Sequence, residues 1–185
     1  VTNAQYPEKI KDLKICTQLY ISVDSPAKEM QKKIGKPLFP DYWERFNKSL
    51  EYMKEKKFRK TIRMTMIKEM NMELAEGYKD IIQKADPDFI EIKGYMFIGA
   101  SRQRLNKENM PFHKDVREFA KEFVKMIPGY IIEYEHEASR VVLLTKEKFK
   151  GRTWINFDKF FEIVKEKNPE DIKADNYMAE TADVD

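Results

Sequence analysis

Cysteine, histidine and glycine are scarce in this sequence, and each scarcity excludes a kind of site. The only cysteine among 185 residues is Cys16, so the chain alone forms neither an internal disulfide nor a metal site with several cysteine ligands. The two histidines, His113 and His136, lie on separate predicted elements and do not have zinc-ligand spacing. The sequence also has no glycine-rich phosphate loop and no GxSxG motif. We therefore predict no metal site within this chain.

Long apolar runs and a large net charge are missing as well. No run of about 18 apolar residues occurs, so we predict no membrane span. The formal net charge is +3, which is too small to indicate a nucleic-acid partner by itself. Hydrophobic residues at 42% and charged residues at 36% are typical of a soluble globular domain, and a single cysteine fits a reducing cytoplasm. The start, VTNAQYPEKI, has no signal-peptide features and no initiator methionine, so we interpret it as the interior of a fold.

Strand-like and helix-like segments alternate along the chain. Between the strand patterns, apolar residues recur at helical spacing and predict three amphipathic helices that pack on a sheet. This order predicts an α/β fold with parallel strands, in which the last two strands form a hairpin. We assign residues 1–167 to one domain and residues 168–185 to an irregular tail. The predicted strands cover residues 17–24, 61–68, 88–95 and a pair within 130–146; the predicted helix cores are Tyr42, Trp43, Phe46, Leu50, Met53, Leu74, Tyr78, Ile81, Ile82, Val116, Phe119, Ala120, Phe123, Val124 and Ile127.

One face of the first three predicted strands is polar. Parallel strands that are buried on both faces are normally apolar throughout, whereas here polar residues alternate with apolar ones. The polar residues concentrate toward the C-terminal strand ends, which is the layout of a barrel with a site at that end. An open sheet with one solvated face explains the same alternation. The residues expected on the polar face are Tyr20, Ser22, Asp24, Arg63, Thr65, Glu91, Lys93 and Tyr95. Four of them carry charges and would form either a ligand site or an ion-pair network: Asp24, Arg63, Glu91 and Lys93.

The connection after the third strand, residues 96–111, is long and polar. Most connections in α/β units take about 2 to 6 residues, and long ordered loops usually serve a site. This loop contains Arg102, Arg104 and Lys107 within six residues. We expect it to lie beside the polar strand ends, where its basic residues either contact phosphates or are simply solvated.

Several blocks of the sequence resemble one enzyme family nearly end to end. The blocks are VTNAQYPE, TQLYISVDSP, RMTMIKEMN, IEIKGYMFIGASRQRL with ENMP, EYEHEASRVVLL and ADNYMAET. They resemble the 4-demethylwyosine synthases of the wybutosine tRNA pathway, which are radical S-adenosylmethionine enzymes. The resemblance implies an α/β fold that is a partial (β/α) TIM-type barrel, here without its N-terminal strands.

The same resemblance implies an activity and its cofactors. Enzymes of this family use a 4Fe–4S cluster to cleave S-adenosylmethionine. They join a pyruvate-derived unit to N1-methylguanosine in phenylalanine tRNA and so form 4-demethylwyosine. The cluster cysteines and the pyruvate-binding lysine of the family have no counterpart here, and Cys16 matches none of them. We therefore expect a fragment that is inactive alone. Ala4 and Ser25 also depart from the family, which usually has glycine and alanine at these positions.

The resemblance implies that most catalytic residues of the family are missing from this chain. The family's cluster and pyruvate-binding motifs precede the region that this chain matches, so we expect the principal catalytic residues upstream of Val1. Within the chain, Lys93 and Tyr95 are expected to face the reacting groups.

Binding residues receive roles only through the resemblance. Those expected to bind S-adenosylmethionine are Thr2, Asn3, Ser22, Asp24, Arg63 and Thr65, with a guanidinium suited to the methionyl carboxylate. Arg102, Arg104 and Lys107 are expected to contact tRNA.

Two other functions are consistent with these residues. A cluster-free descendant of the same barrel would act as an RNA-binding or scaffolding module. A metal-free, aldolase-like barrel would use Lys93 as a Schiff-base lysine. Three cysteines at CxxxCxxC spacing in the preceding sequence would decide for the radical enzyme.

Overall fold

A five-stranded mixed sheet organises the chain, for which a computed structural model describes residues 1–181. In space the strands follow the order β1-β2-β3-β5-β4. β1, β2 and β3 are parallel, while β5 runs antiparallel to both β3 and β4. The predicted parallel strands and terminal hairpin are thus confirmed. The strands are β1 (Leu19–Val23), β2 (Lys60–Met66), β3 (Phe89–Gly94), β4 (Tyr130–His136) and β5 (Val141–Lys146).

Six α-helices accompany the sheet in the described part of the chain, and three of them were predicted. The other three are α1, α2 and α6. α1 has only six residues, and α2 has only two apolar side chains on one face, Met30 and Ile34, both half-buried, so neither helix shows a long apolar stripe. α6 does have such a period, at Phe160 and Ile163. No helix within residues 1–181 is long and apolar enough to cross a membrane. The helices are α1 (Pro7–Asp12), α2 (Lys28–Gly35), α3 (Tyr42–Glu55), α4 (Ala75–Ala85), α5 (His113–Met126) and α6 (Phe157–Glu166).

The main core forms between the helices and the apolar face of the sheet. Ile21, Ile62, Met64, Ile90 and Ile92 point toward the helices and are fully buried. The predicted apolar stripes of α3, α4 and α5 pack against them, as expected from their spacing. Burying each large apolar side chain contributes about 1.5 to 3 kcal/mol, so this face supplies most of the stability.

The C-terminal segment has defined structure within the described residues. It was predicted to be irregular, but it contains two 3-10 turns and a short strand, β7 (Met178–Ala179), which pairs with β6 (Trp154–Ile155). Ile172 is fully buried in the main core. The prediction for residues 182–185 lies outside the described residues. The segment is held by burial of a few scattered apolar side chains, which leave no period in the sequence.

A second, smaller core covers the other face of the sheet at the N-terminal ends of the strands. Phe89, the first residue of β3, stacks on Phe149 with ring centroids 5.5 Å apart. Ala174 and Met178 of the C-terminal segment complete the cluster, and Leu143 packs against it. This face is therefore apolar and covered at the strands' N-terminal ends only.

Ala4 adopts a left-handed backbone conformation with φ of 60°. Glycine tolerates this region without steric cost, whereas a Cβ makes it unfavourable. The family to which the sequence bears a resemblance usually has glycine here. The structure therefore explains that preference, and Ala4 keeps the conformation because its side chain is completely buried in the main core.

Tyr177 links the C-terminal segment to the start of the sheet, and we predict that its hydroxyl is required for stability. The hydroxyl accepts a hydrogen bond from the Arg59 backbone N–H (2.7 Å) and donates one to the Thr17 carbonyl (3.0 Å). Tyr177→Phe leaves both backbone groups unsatisfied and should lower the free energy of unfolding by about 1 to 3 kcal/mol. Urea denaturation measures this, with Tyr6→Phe as an exposed control. Equal losses in the two variants would contradict the prediction.

Candidate functional site

Polar side chains lie in rows across the uncovered face of β1, β2 and β3, which we call the polar face. Register aligns Ser22 with Arg63 and Arg63 with Glu91, and it aligns Thr65 with Lys93 in the next row. All five side chains are partly exposed, while their neighbours in sequence are buried. The predicted polar alternation is thus present, and it continues to the C-terminal ends of the strands.

Arg63, Glu91 and Tyr20 form a hydrogen-bonded group in the middle of the polar face. Arg63 Nε lies 2.8 Å from Glu91 Oε1, and the Tyr20 hydroxyl donates to Glu91 Oε2. Burial, followed by the hydrogen bond to Glu91, raises the pKa of Tyr20, so its hydroxyl remains protonated. Glu91 uses only the Nε–H of Arg63. Since a guanidinium has five N–H donors, donors remain for a carboxylate ligand.

Asp24 follows β1 and is a carboxyl group in a largely buried position. Burial raises its pKa, and a hydrogen bond from Thr65 opposes that shift only in part. Among residues 1–181, no Lys, Arg or His lies within 4.0 Å of its carboxylate. The predicted ion-pair network of Asp24, Arg63, Glu91 and Lys93 is therefore reduced to one pair, Arg63–Glu91.

Asn71 fixes the strand ends next to Asp24, although sequence reasoning missed it. Its Nδ2 donates to the carbonyls of Asp24 (2.6 Å) and Thr65 (2.8 Å), and its Oδ1 accepts from the Ile67 N–H (2.7 Å). Asn71 is fully buried. The Asn71 amide thus supplies hydrogen bonds to backbone groups just where the pairing between β1 and β2 stops. The only signal in the sequence is an asparagine in the turn after the second strand.

A cleft of about 510 Å³ opens at the C-terminal end of the sheet, between α2 and the 96–111 loop. Asp24 and Thr65 lie at its inner end, where it meets the polar face. Basic and apolar side chains line the rest. The remaining lining residues are Lys33, Ile34, Lys36, Ile67, Met70, Tyr95, Ser101, Arg104 and Leu105.

The 96–111 loop is held in place by hydrogen bonds to two neighbouring segments. The Lys68 N–H donates to the Asn109 carbonyl (2.9 Å), and Asn109 Nδ2 donates to the Lys68 carbonyl (3.2 Å). Arg104 Nη1 donates to the Ile34 carbonyl at the C-terminal end of α2 (3.0 Å). Two 3-10 turns, Gly99–Gln103 and Lys107–Asn109, shorten the loop further. The loop is therefore an ordered wall of the cleft.

The predicted RNA-contacting residues are all exposed on this loop, but they differ in their contacts. Arg104 lines the cleft, whereas Arg102 turns back on Phe97, donating to its carbonyl (3.1 Å) and lying 5.5 Å from its ring centroid. Lys107 is at the start of the second 3-10 turn. The three basic residues are thus not one compact cluster.

The other predicted site residues are in different positions. Thr2 forms a parallel bridge with Ile21, so it extends the sheet beyond β1, and Asn3 follows it as an exposed residue. Lys93 is on the polar face. Tyr95 lies past the end of β3, where it is buried and its hydroxyl donates to Ser101 Oγ (2.8 Å). Tyr95 therefore lines the cleft and does not continue the row of Lys93.

Val1, upstream of which the principal catalytic residues were expected, is not itself part of the site. Its side chain is exposed, and it lines neither the polar face nor the cleft. The placement of catalytic residues upstream of Val1 stays a prediction. Of the two candidates within the chain, Lys93 is partly exposed on the polar face, whereas Tyr95 is buried, so Lys93 is the more accessible to a substrate.

Metal-binding capacity is low in this chain. Within residues 1–181, no group of three or more His, Cys, Asp and Glu side chains could hold a metal ion. His113 Nε2 lies 3.1 Å from Glu135, and His136 Nδ1 lies 2.8 Å from Ser139 Oγ. Burial raises the pKa of Cys16 to about 11, so its thiol is a poor metal ligand.

Comparisons with known proteins agree on one family. A family profile described as wyosine base formation matches residues 84–146. The S-adenosyl-L-methionine-dependent tRNA 4-demethylwyosine synthase of Oryza sativa subsp. japonica is 44% identical over 188 residues, covering 98% of this chain and 28% of that protein. The synthase of Pyrococcus abyssi is 45% identical over 151 residues, covering 80% of this chain and 44% of that protein.

A solved structure gives the same result in three dimensions. The structure of TYW1 with a lysine-pyruvate adduct bound superimposes with a TM-score of 0.70 at 33% identity, covering 80% of this chain and 46% of that one. The chain thus spans about a quarter to somewhat under half the length of the relatives it matches. Because nearly all of its residues align at this identity, the chain belongs to the family of tRNA 4-demethylwyosine synthases.

Proposed function

We propose that this chain is part of a radical S-adenosylmethionine enzyme that forms 4-demethylwyosine in tRNA. The observation that carries the proposal is the alignment of 98% of the chain with a 4-demethylwyosine synthase, together with a polar face beside an open cleft. Its substrates are N1-methylguanosine of phenylalanine tRNA and pyruvate, and it works in the cytoplasm. The complete enzyme has the activity; these 185 residues alone do not.

The uncovered polar face supports a partial barrel. Three parallel strands with helices on one side and polar residues on the other match the inner and outer surfaces of a (β/α) barrel. The backbone bridge from Thr2 to Ile21 suggests a further parallel strand next to β1. Other strands of the complete enzyme would then close the barrel around the polar face.

The polar face has the donor and acceptor groups that S-adenosylmethionine requires. Arg63 retains N–H donors for the methionyl carboxylate while Glu91 fixes its orientation. Thr2, Asn3, Ser22 and Asp24 would hydrogen bond with the nucleoside, and Thr65 would reach the methionyl carboxylate together with Arg63. When bound with a reduced cluster, S-adenosylmethionine supplies the 5′-deoxyadenosyl radical.

A 4Fe–4S cluster does not fit the residues of this chain. Such a cluster needs several thiolates, and Cys16 is single, half-buried and protonated. The cluster ligands of the proposed enzyme therefore belong to another part of it, upstream of Val1. Pyruvate is treated in the same way: a related structure contains a lysine-pyruvate adduct, and we place the corresponding lysine outside this chain as well.

The second candidate function uses the same fold, and the exposed basic residues of the 96–111 loop would serve it as well. A protein with this fold and no cluster would bind RNA or act as a scaffold. Three cysteines at CxxxCxxC spacing in the complete protein would exclude this alternative. Borohydride trapping with pyruvate would test Lys93 as a Schiff-base residue.

We predict that Ser22 and Arg63 contribute to binding S-adenosylmethionine in the complete enzyme. Ser22→Ala and Arg63→Ala each remove a hydrogen bond to the ligand, so affinity should fall about ten- to hundredfold. Isothermal titration with S-adenosylmethionine measures this affinity. Arg117→Ala on α5 is the control, because it removes the same charge on the opposite side of the sheet and should leave the affinity unchanged. Unchanged affinity in both variants would remove these residues from the site.

The pKa of Asp24 leads to a prediction about stability and pH. Because its pKa is raised in the folded chain, ionisation of Asp24 opposes folding, and the stability present below the unfolded pKa is lost as pH rises through the folded pKa. Asp24→Asn removes that cost. The variant should therefore be more stable than the parent at pH 7, and the difference should disappear below about pH 3.8.

Urea denaturation between about pH 3 and pH 8 measures the effect, with the exposed Asp80→Asn as the control. A variant that is less stable than the parent at pH 7 would show that the ionised carboxylate has a stabilising partner.

We predict that the loop arginines bind tRNA. The double change Arg102→Ala and Arg104→Ala in the complete enzyme should weaken tRNA binding and reduce the slope of log K against log salt by about one per lost phosphate contact. Binding of S-adenosylmethionine should not change. Filter binding at several salt concentrations measures both quantities, with Gln103→Ala, an exposed neutral neighbour, as the control. An unchanged slope would assign the loop another role.

A further inference from the structure

The cleft at the C-terminal end of the sheet has two walls from different parts of the chain. One wall is the end of α2, which contributes Lys33, Ile34 and Lys36. The other is the 96–111 loop, which contributes Arg104 and Leu105. The bond from Arg104 to the Ile34 carbonyl joins the walls, so their spacing is set by the fold. Sequence analysis did not identify the α2 lysines, because α2 was not predicted.

Positive charge dominates this cleft. Lys33, Lys36 and Arg104 line it, and the one carboxyl group among the described lining residues is that of Asp24, at the inner end, where burial raises its pKa. Within residues 1–181, no carboxylate lies within 4.0 Å of any of the three cations. The basic residues at the opposite end of the sheet differ, because Lys146, for example, pairs with Asp86 at 2.8 Å.

The walls hold these lysines in defined places. α2 buries none of its side chains, so no core packing explains its basic C-terminal end. The helix ends in a left-handed residue, Lys36, whose N–H donates to the Lys32 carbonyl at 3.0 Å. A non-glycine residue in this conformation is unfavourable, and the conformation sets the direction in which the Cα–Cβ bond of Lys36 leaves the backbone.

Part of the cleft lining, which we call its floor, is apolar. It consists of Ile67 and Met70, which follow β2, and Leu105 of the loop. Apolar and thioether groups pack against nucleobases, while cations on the rim neutralise phosphates. The volume of about 510 Å³ lies within the range of small-ligand pockets.

We propose that this cleft holds one nucleotide of the RNA substrate, with Lys33 and Lys36 on the flanking phosphates and Met70 and Leu105 against the base. The inference rests on the proposed function and adds α2 as an RNA-contacting element. Charge complementarity favours a polyanion, and the apolar floor favours RNA over an acidic protein. Sequence-specific recognition of RNA requires an unstacked base, which a cleft of this kind accommodates.

The test uses the complete enzyme and a short RNA hairpin, with fluorescence anisotropy at several salt concentrations. The double change Lys33→Ala and Lys36→Ala should weaken binding on the order of tenfold and reduce the salt slope by about two. Leu105→Ala should weaken binding about threefold and leave the slope unchanged, because it removes an apolar contact only. Thermal unfolding confirms that each variant is folded.

The matched control is Lys165→Ala with Lys167→Ala, which removes the same charge at the end of α6. An equal loss in control and cleft variants, or no loss in either, would overturn the proposal. Poly-glutamate is the second probe. If it competes as well as unlabelled RNA, the occupant is an acidic protein and the proposal fails. Loss of RNA binding in the cleft variants together with inactivity of the complete enzyme on tRNA would contradict the proposed function alone.

Discussion

The parallel register of β1, β2 and β3 is the constraint on which the candidate site depends. Pairing of Ser22 with Arg63 and of Arg63 with Glu91 places three polar side chains in one row. A shift of one residue in any strand would turn its polar side chains toward the helices and its apolar ones toward solvent. Burial of Ile21, Met64 and Ile92 on the other face therefore determines which residues can meet a ligand.

Stability and function are divided along the length of the strands. At the N-terminal ends, Phe149, Ala174 and Met178 cover the sheet, and Tyr177 ties this segment to the backbone of Arg59, just before β2. At the C-terminal ends the sheet is uncovered, and Asp24 is kept in a position that disfavours its charge. Groups with such perturbed pKa values cluster at functional sites, which agrees with a ligand-binding end and a structural end.

The polar face and the cleft meet at Asp24 and Thr65. Thr65 belongs to the row of Lys93 and also lines the cleft, and Asp24 lines the same cleft. If S-adenosylmethionine occupies the polar face and a nucleotide occupies the cleft, this pair lies between the two ligands. The buried amide of Asn71 fixes the backbone of both residues through two short hydrogen bonds.

The sequence by itself determined the α/β class, the parallel strands, the buried stripes of α3 to α5 and the polar parity of the strands. Each depends on a local period of two or 3.6 residues, which is visible without coordinates. Family membership was also readable from the sequence, because blocks such as IEIKGYMFIGASRQRL are specific.

Which polar residues meet depends on how distant elements pack. Arg63 pairs with Glu91 and not with Asp24; Tyr95 lines the cleft; and the lysines of α2 stand opposite Arg104. The ordering of the C-terminal segment also depends on distant partners, since Tyr177 bonds to Thr17 at a separation of 160 residues. Contacts of this kind are set by packing of elements far apart in the chain, and no local pattern records them.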